Sequence, residues 1–434
     1  MDKSQTLAAS GKGEIMLKST ILLALVALAV AEKASFKDYK VFRVVPTTEE
    51  QTNFLHKIAE ISTEYTFWNG PTSANASTDM MVEPDKVSEF RKLMRATGTQ
   101  YEMVVDDVQE LIDNENPPQS RFGGKAFDWT RYHNLNEIYA YLDKLAETYP
   151  DKVQVVVGGK TYEGRQIKGV KISFKENNPG IFIEGGIHAR EWISPAVVTY
   201  MLNELLTSQD PEVRKLAERN DWYIFPVFNP DGFVYTHTKN RLWRKTRKPY
   251  GLACHGSDPN RNWGFKWMEG GASNKPCAET YAGSAPFSDI ETKSISEYIT
   301  SISDKIYAYI SFHSYSQLLL FPYGHTKAHL DNHDELLDIG KTTIEALAKR
   351  YGTRYVTGNI AETIYIATGS SVDWVKGTFQ LPIAYTYELR DKGRYGFLLP
   401  ANQIIPTGEE TLDSLVALFN EADVRGIPKR QRNL

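Results

Sequence analysis

The sequence is poor in the features that would assign it quickly. Only two of its 434 residues are cysteine, Cys254 and Cys277, too few for a disulfide-dense scaffold or a cysteine-rich structural zinc module, though enough for one bridge. Neither sign of charge dominates: a formal net charge of -4 provides no broad positive field for a phosphate backbone and argues against a nucleic-acid partner. No apolar run approaches the roughly 20 residues that span a bilayer, and no repeat marks a solenoid or a propeller. Neither G-x-S-x-G nor H-E-x-x-H occurs, so the serine-hydrolase elbow and the thermolysin-like helix motif are both missing. What is there is an ordinary globular composition, 41% hydrophobic and 24% charged, in a chain long enough for two or three domains with sizeable cores.

The amino terminus carries an address. Lys18 precedes the apolar run Ile21 to Val30, and Ala29 and Ala31 flank Val30 just before Glu32. A basic start, a short apolar stretch and small residues at the exit read as a secretory signal over residues 1–31; the run is about half of what a membrane anchor needs. Residues 1–15 are polar and sit awkwardly ahead of it, and Met16 offers an alternative start. The mature chain is therefore expected to be secreted, extracellular and free of the membrane. An oxidising destination favours a Cys254–Cys277 disulfide, valued by the chain-entropy model at roughly 3 kcal/mol; two free buried thiols are the alternative. Asn75-Ala76-Ser77 is a glycosylation sequon in a stretch that reads as surface loop.

From Tyr39 to Glu115 the pattern runs strand, helix, strand, strand, helix, strand, punctuated by Asn69-Gly70-Pro71 and Glu83-Pro84, with Thr47/Thr48 and Asp85 in cap-like positions. This βαββαβ order is ferredoxin-like. The segment Glu32 to Arg121 carries about sixteen acidic and ten basic residues, either a solvated face or a surface fitted to a basic site elsewhere in the chain. A Pro/Gly-rich polar link follows, with Arg121 and Lys125 as exposed basic cleavage points; it suits a zymogen and equally an ordinary interdomain linker. From Ala126 to Asn420 helical and strand patterns alternate, which predicts an α/β domain with a mixed or largely parallel sheet. Runs such as IFIEG and YIFPVF imply strands buried on both faces.

The sharpest local signal is His188-Ala-Arg190-Glu191-Trp192, between a buried-type strand and a helix opened by Ser194-Pro195. By itself this pair reads as well as a solvated ion pair at a helix start. A second isolated histidine, His313, ends another apolar strand, and two histidines with a glutamate make a three-ligand zinc site with one position open. Asn240-Arg-Leu-Trp-Arg-Lys-Thr-Arg247 and Asp258-Pro-Asn-Arg-Asn-Trp263 set arginine forks, suited to gripping a carboxylate, beside tryptophans. Tyr365 lies in a Gly/Ser-rich loop, and Glu388 ends the run AYTYE as a candidate base or as half of a Glu–Arg pair.

Taken in order, HARE-W, NRLWRKTR, PNRNW, SFHSYSQLLLFPYG, TIY-x-ATGSS-x-DW and YELRD strongly resemble the secreted metallocarboxypeptidases of the carboxypeptidase A/B type, over about residues 32 to 420. The resemblance implies a signal over 1–31, an activation domain over 32–121 and a catalytic domain over 122–434 with a mixed central sheet flanked by helices. It implies one zinc held by His188, Glu191 and His313, with Glu388 as general base and acid and Arg244 stabilising the oxyanion. Asn260, Arg261 and Tyr365 would hold the substrate's terminal carboxylate, with Arg190 nearby along the peptide. The expected partners are peptides or proteins with a free C-terminus and a trypsin-like activating protease, and the expected state is a monomer. Val372 stands at the position resembling the family's selector, acidic in enzymes that remove lysine or arginine; its apolar side chain favours aliphatic or aromatic ends, with Ser370 and Ile360 also bearing on the pocket's size. The alternative from another class is a catalytically silent homologue that binds peptides, against which the presence of every ligand, the base and the oxyanion arginine argues.

Overall fold

The computed structural model describes residues 33–61, 64–116 and 126–428; the signal reading and the Arg121 to Lys125 cleavage region lie outside the described residues. In the first module strands β1 (Lys40–Val45), β2 (Tyr65–Phe67), β3 (Thr78–Val82) and β4 (Gln100–Val105) form an antiparallel sheet in the order β2-β3-β1-β4. The connecting helices span Glu49–Ile61 and Val87–Ala96, which is the ferredoxin-like arrangement. Thr48 Oγ1 caps the first helix by accepting from Gln51 N (3.2 Å). Asp85, expected as a cap, instead lies in a 310 turn, Pro84–Lys86, because Pro84 already fixes a turn φ one residue earlier.

Period-two alternation divides this sheet between two cores. Phe42, Val44, Met80 and Val82 meet Leu55, Phe90 and Met94 of the module's own helices. Val41 and Met81 face the other way and pack with Trp68, Tyr315, Phe397 and Leu398, the last three from the second module. A short helix, Val108–Asn114, opened by the Asp107 carboxylate, was not expected from sequence; it delivers Glu115 to the junction.

The second module contains β5 (Val153–Lys160), β6 (Gln166–Ile172), β7 (Gly180–Gly185), β8 (Asp221–Phe225), a two-stranded ribbon of β9 (Pro249–Tyr250) and β10 (Cys254–His255), then β11 (Ile306–Ser314), β12 (Leu318–Phe321), β13 (Val356–Asn359) and β14 (Ile383–Leu389). Its main sheet is mixed, in the order β13-β12-β14-β11-β7-β8-β6-β5. The centre, β14, β11, β7 and β8, is parallel, while β5, β6 and β12 supply the antiparallel pairings. Ile181, Ile183, Ile310 and Tyr385 face helices Leu135–Thr148, Ile193–Thr207, His333–Tyr351 and Ile404–Val424, whereas Phe182, Tyr309 and Ala384 face helices Ile290–Ser301 and Ser371–Phe379. Burial on both faces is why these strands read as unbroken apolar runs. The last helix, Ile404–Val424, accommodates Pro406 because that residue falls in its first turn, where no N–H is needed. Cys254 and Cys277 form a disulfide. Among the described residues no helix is long and apolar enough to cross a membrane.

Candidate metal centre and substrate cleft

The site gathers where the parallel strands end. After β7, Gly186 adopts φ of 65°; a Cβ there would lie 3.1 Å from the Pro195 ring and 3.3 Å from the Pro226 carbonyl oxygen, so glycine is needed for the reversal that presents His188. Ser194 Oγ accepts from Gly186 N (2.9 Å) and donates to the Phe312 carbonyl (2.6 Å), which ties this turn to the end of β11. There His313 stands, and the parallel register sets Glu388 of β14 directly beside it.

His188, Glu191 and His313 are 4%, 2% and 2% exposed. His188 Nδ1 lies 2.7 Å from Glu191 Oε1, His313 Nδ1 lies 3.2 Å from Glu191 Oε2, and the two Nδ1 atoms are 3.1 Å apart. On its far side His188 Nε2 is 3.1 Å from Asp258 Oδ1. If Nε2–H is donated to that carboxylate, Nδ1 is left with a lone pair facing another carboxylate oxygen, and two facing acceptors call for a cation between them. Two imidazoles and a carboxylate converging in this way fit zinc. Burial alone would raise the Glu191 carboxyl, but the two imidazoles outweigh it and hold the group far below the usual carboxylate range.

Asp258 is the residue that sequence reasoning passed over. It opens the loop Asp-Pro-Asn-Arg-Asn, and its place two residues before Asn260 is the one weak signal the sequence holds. Fully buried, its carboxylate meets His188, accepts from Arg244 Nη2 (2.8 Å) and Nε (3.2 Å), and accepts from Asn260 N (2.8 Å). Burial opposes its charge, but Arg244, His188 and Arg261 prevail and keep it well below its ordinary pKa.

Arg244, Asn260, Arg261, Tyr365, Ser370, Ile360, Val372 and Glu388 line one cavity with the three converging groups, about 870 Å³ including its mouth. Ser371 N donates to Asn260 Oδ1 (3.0 Å), leaving the Asn260 amide N–H groups for the cavity. Arg261 is anchored through Nε to the Gly271 carbonyl (3.1 Å) and through Nη1 to that of Asn260 (2.9 Å), and its guanidinium lies 6.0 Å from the Tyr365 ring. Burial pushes Glu388 up to about 8. Arg190 is not brought to this cavity: it is 1% exposed, 4.2 Å from the Phe397 ring, and donates to Glu279 (3.1 Å).

The first module closes the same cavity with Trp68, Asn69, Gly70 and Thr72, all uncharged, rather than with its acidic residues. Trp68 packs on Tyr315 and Phe397 (6.4 and 5.6 Å between ring centroids). Asp79 joins the modules by accepting from Arg43 (2.8 and 3.0 Å) and from the Tyr315 hydroxyl (2.8 Å). Among the described acidic residues of this module, Glu115 meets a buried arginine: it accepts from Arg241 Nε (2.7 and 2.9 Å) and Nη2 (2.8 Å).

A buried His-Glu-His set at the carboxyl ends of parallel strands, with arginines and a carboxylate in one cleft, is the architecture of a metallopeptidase. Comparison with known proteins narrows this: the zinc carboxypeptidase family matches residues 138–414 and the carboxypeptidase activation peptide matches residues 42–115. The chain is 48% identical over 409 residues to zinc carboxypeptidase A 1 of Anopheles gambiae, covering 94% of each, and 48% identical over 296 residues to carboxypeptidase B of Astacus astacus, covering 68% of this chain and 97% of that protein. The crystal structure of carboxypeptidase A from Helicoverpa armigera superposes with a TM-score of 0.80 at 28% identity, covering 91% of this chain and 99% of that one. The chain belongs to the zinc carboxypeptidase family, and it is a zymogen with its activation peptide in place.

Proposed function

We propose that the chain, after removal of residues 1–31 and cleavage between the activation domain (32–121) and the catalytic domain (122–434), is a secreted, monomeric zinc exopeptidase that removes apolar C-terminal residues. The convergence of His188, Glu191 and His313 with Glu388, Arg244 and Arg261 in one cavity carries this reading. His188, Glu191 and His313 hold the zinc. Bound there, the ion supplies Lewis acidity to the scissile carbonyl and to water. Glu388 takes a proton from the attacking water and returns it to the leaving amine. Arg244, fixed by Asp258, faces the charge that grows on the carbonyl oxygen, where a lost donor typically costs about 2.7–4 kcal/mol. Arg261, Asn260 and Tyr365 grip the free carboxylate, a group that an internal peptide bond does not offer. A trypsin-like protease cutting at Arg121 or Lys125 is the expected activator.

The apolar preference rests on Val372, with Ile360, Ile364 and Ala367 beside it in the cavity lining. The neighbouring Asp373 supplies no counter-charge, since its carboxylate accepts from the backbone of Gly324 (2.9 Å) and His325 (3.1 Å). An apolar end gains about 25 cal/mol per Å² removed from water, whereas a lysine or arginine end would leave water for an unpaired site. The test is kcat/KM of the trypsin-cut protein on matched peptides ending in Phe, Leu, Lys and Glu, and on the Phe peptide with an amidated end. Phe and Leu should lead and the amide should be refractory; a preference for Lys would overturn the pocket reading, and cleavage of the amide the exopeptidase reading.

A further inference from the structure

A second cluster lies away from the cleft. His329, His333 at the start of helix His333–Tyr351, and Glu362 in the short helix Ile360–Thr363 bring one imidazole nitrogen each and one carboxylate oxygen within 4.8 Å of one another. It has the same donor set as the catalytic centre. His333 is already oriented: it is 8% exposed, its edge packs against Phe321 (5.3 Å between centroids, 70°), and its Nδ1 is 2.9 Å from Asp334 Oδ1. A carboxylate on one ring nitrogen directs the other towards a metal, the arrangement that Asp258 gives His188. The His329 ring stacks on it at 3.6 Å and 2°, with Nε2 3.3 Å from Glu362 Oε1.

Four-coordinate zinc with bonds of about 2.0–2.2 Å places its donors about 3.4 Å apart, so the His329–Glu362 spacing already suits it. The parallel His329 ring must tilt for both imidazole lone pairs to meet, and that side chain is 53% exposed, as Glu362 is 42% exposed, so both are free to turn. Imidazole with carboxylate selects a borderline transition metal over calcium or magnesium, which prefer oxygen alone. As a mere surface ion pair the His329–Glu362 contact would contribute little; it does not account for a third, pre-oriented donor beside it.

We propose that His329, His333 and Glu362 form a second divalent transition-metal site, for zinc, weaker than the catalytic centre because it is open to solvent. An ion there joins the start of the long helix to the turn just before Tyr365.

The test uses the full uncut chain loaded with one equivalent of zinc and titrated calorimetrically with further Zn²⁺. One additional equivalent should bind, unaffected by excess Mg²⁺ and Ca²⁺. His329→Ala and Glu362→Gln should each weaken it at least tenfold while keeping the first zinc and the activity released by cleavage. With Cu²⁺ as probe, electron paramagnetic resonance of the second site should show coupling to two nitrogens, reduced to one in His329→Ala. Binding of a single equivalent in total, an extra equivalent unchanged in both variants, or an all-oxygen copper spectrum would each overturn the site.

Discussion

Replacing Glu115 with glutamine should loosen the activation module without harming the enzyme it covers. Arg241 is 1% exposed and Glu115 3%. Besides its three bonds to Glu115, Arg241 donates to the carbonyls of Arg190 (2.8 Å) and Phe397 (2.9 Å) and lies 3.7 Å from the Trp192 ring. Burial pushes the Glu115 carboxyl up against the pull of Arg241, so the pair is worth less than its bonds suggest; removing one partner is different, because it strands the other's charge at a cost of about 3–5 kcal/mol. That cost falls on the docked arrangement alone, since undocking returns Arg241 to water. At about 1.4 kcal/mol per tenfold, the docked-to-undocked ratio should fall by about 10² to 4 × 10³, towards the lower figure because the glutamine oxygen still accepts one bond. The assay is hydrolysis of a small peptide by the uncut, zinc-loaded chain: Glu115→Gln should raise it at least tenfold over uncut wild type, with kcat/KM of the cut enzymes equal. A Glu115→Leu/Arg241→Met double variant, which replaces the pair by apolar groups, should be silent again. An uncut Glu115→Gln as silent as wild type would refute the clamp.

Asp258→Asn should weaken zinc binding about 10- to 100-fold in competition with a chelator, since the orienting partner of His188 loses its charge; unchanged affinity would remove Asp258 from the metal's support. Glu388→Gln should retain zinc and substrate binding yet lose about 10²-fold or more in kcat, and a loss under tenfold would dismiss Glu388 as the proton carrier. Val372→Asp should shift the Arg-to-Phe ratio of kcat/KM towards Arg by about a hundredfold, as an unpaired buried charge costs several kcal/mol; no shift would place the selector elsewhere. Chelation should abolish activity and move the unfolding temperature only slightly, because the catalytic module has its own core; full activity in metal-free protein would sink the metal assignment.

The sequence displayed the site best where strands run buried on both faces. β11 and β14 are apolar apart from Ser311 and Thr386 until the chain meets the cleft, and His313 and Glu388 stand out there by contrast. Helix Ile290–Ser301 went unread for the opposite reason: its buried face includes Thr292, Ser294 and Ser296, whose hydroxyls bond back to the chain, as Ser296 Oγ does to the Lys293 carbonyl (2.8 Å), so the apolar period is masked. Asp258 was illegible because a loop carboxylate has no period and its partners lie 70 and 14 positions away. The arginines beside tryptophan read as carboxylate holders for a substrate, whereas Arg241 holds the carboxylate of Glu115, a tertiary pairing that no local pattern encodes.

The Cys254–Cys277 bridge has a bearing on how the protein is made. It closes a loop spanning 23 positions that contains Asp258, Asn260 and Arg261 together with Gly271, the carbonyl that steadies Arg261. The metal ligands stand on other segments, at the ends of β7 and β11. Folding in a host cytosol that keeps thiols reduced removes a constraint of roughly 3 kcal/mol from the loop that grips the substrate, and not from the strands that carry His188 and His313. In preparations from such a host part of the population would lack a formed carboxylate grip and, because Asp258 sits in the same loop and holds His188, would also bind zinc more weakly, so titration with a tight substrate-like carboxylate would count the working enzyme directly.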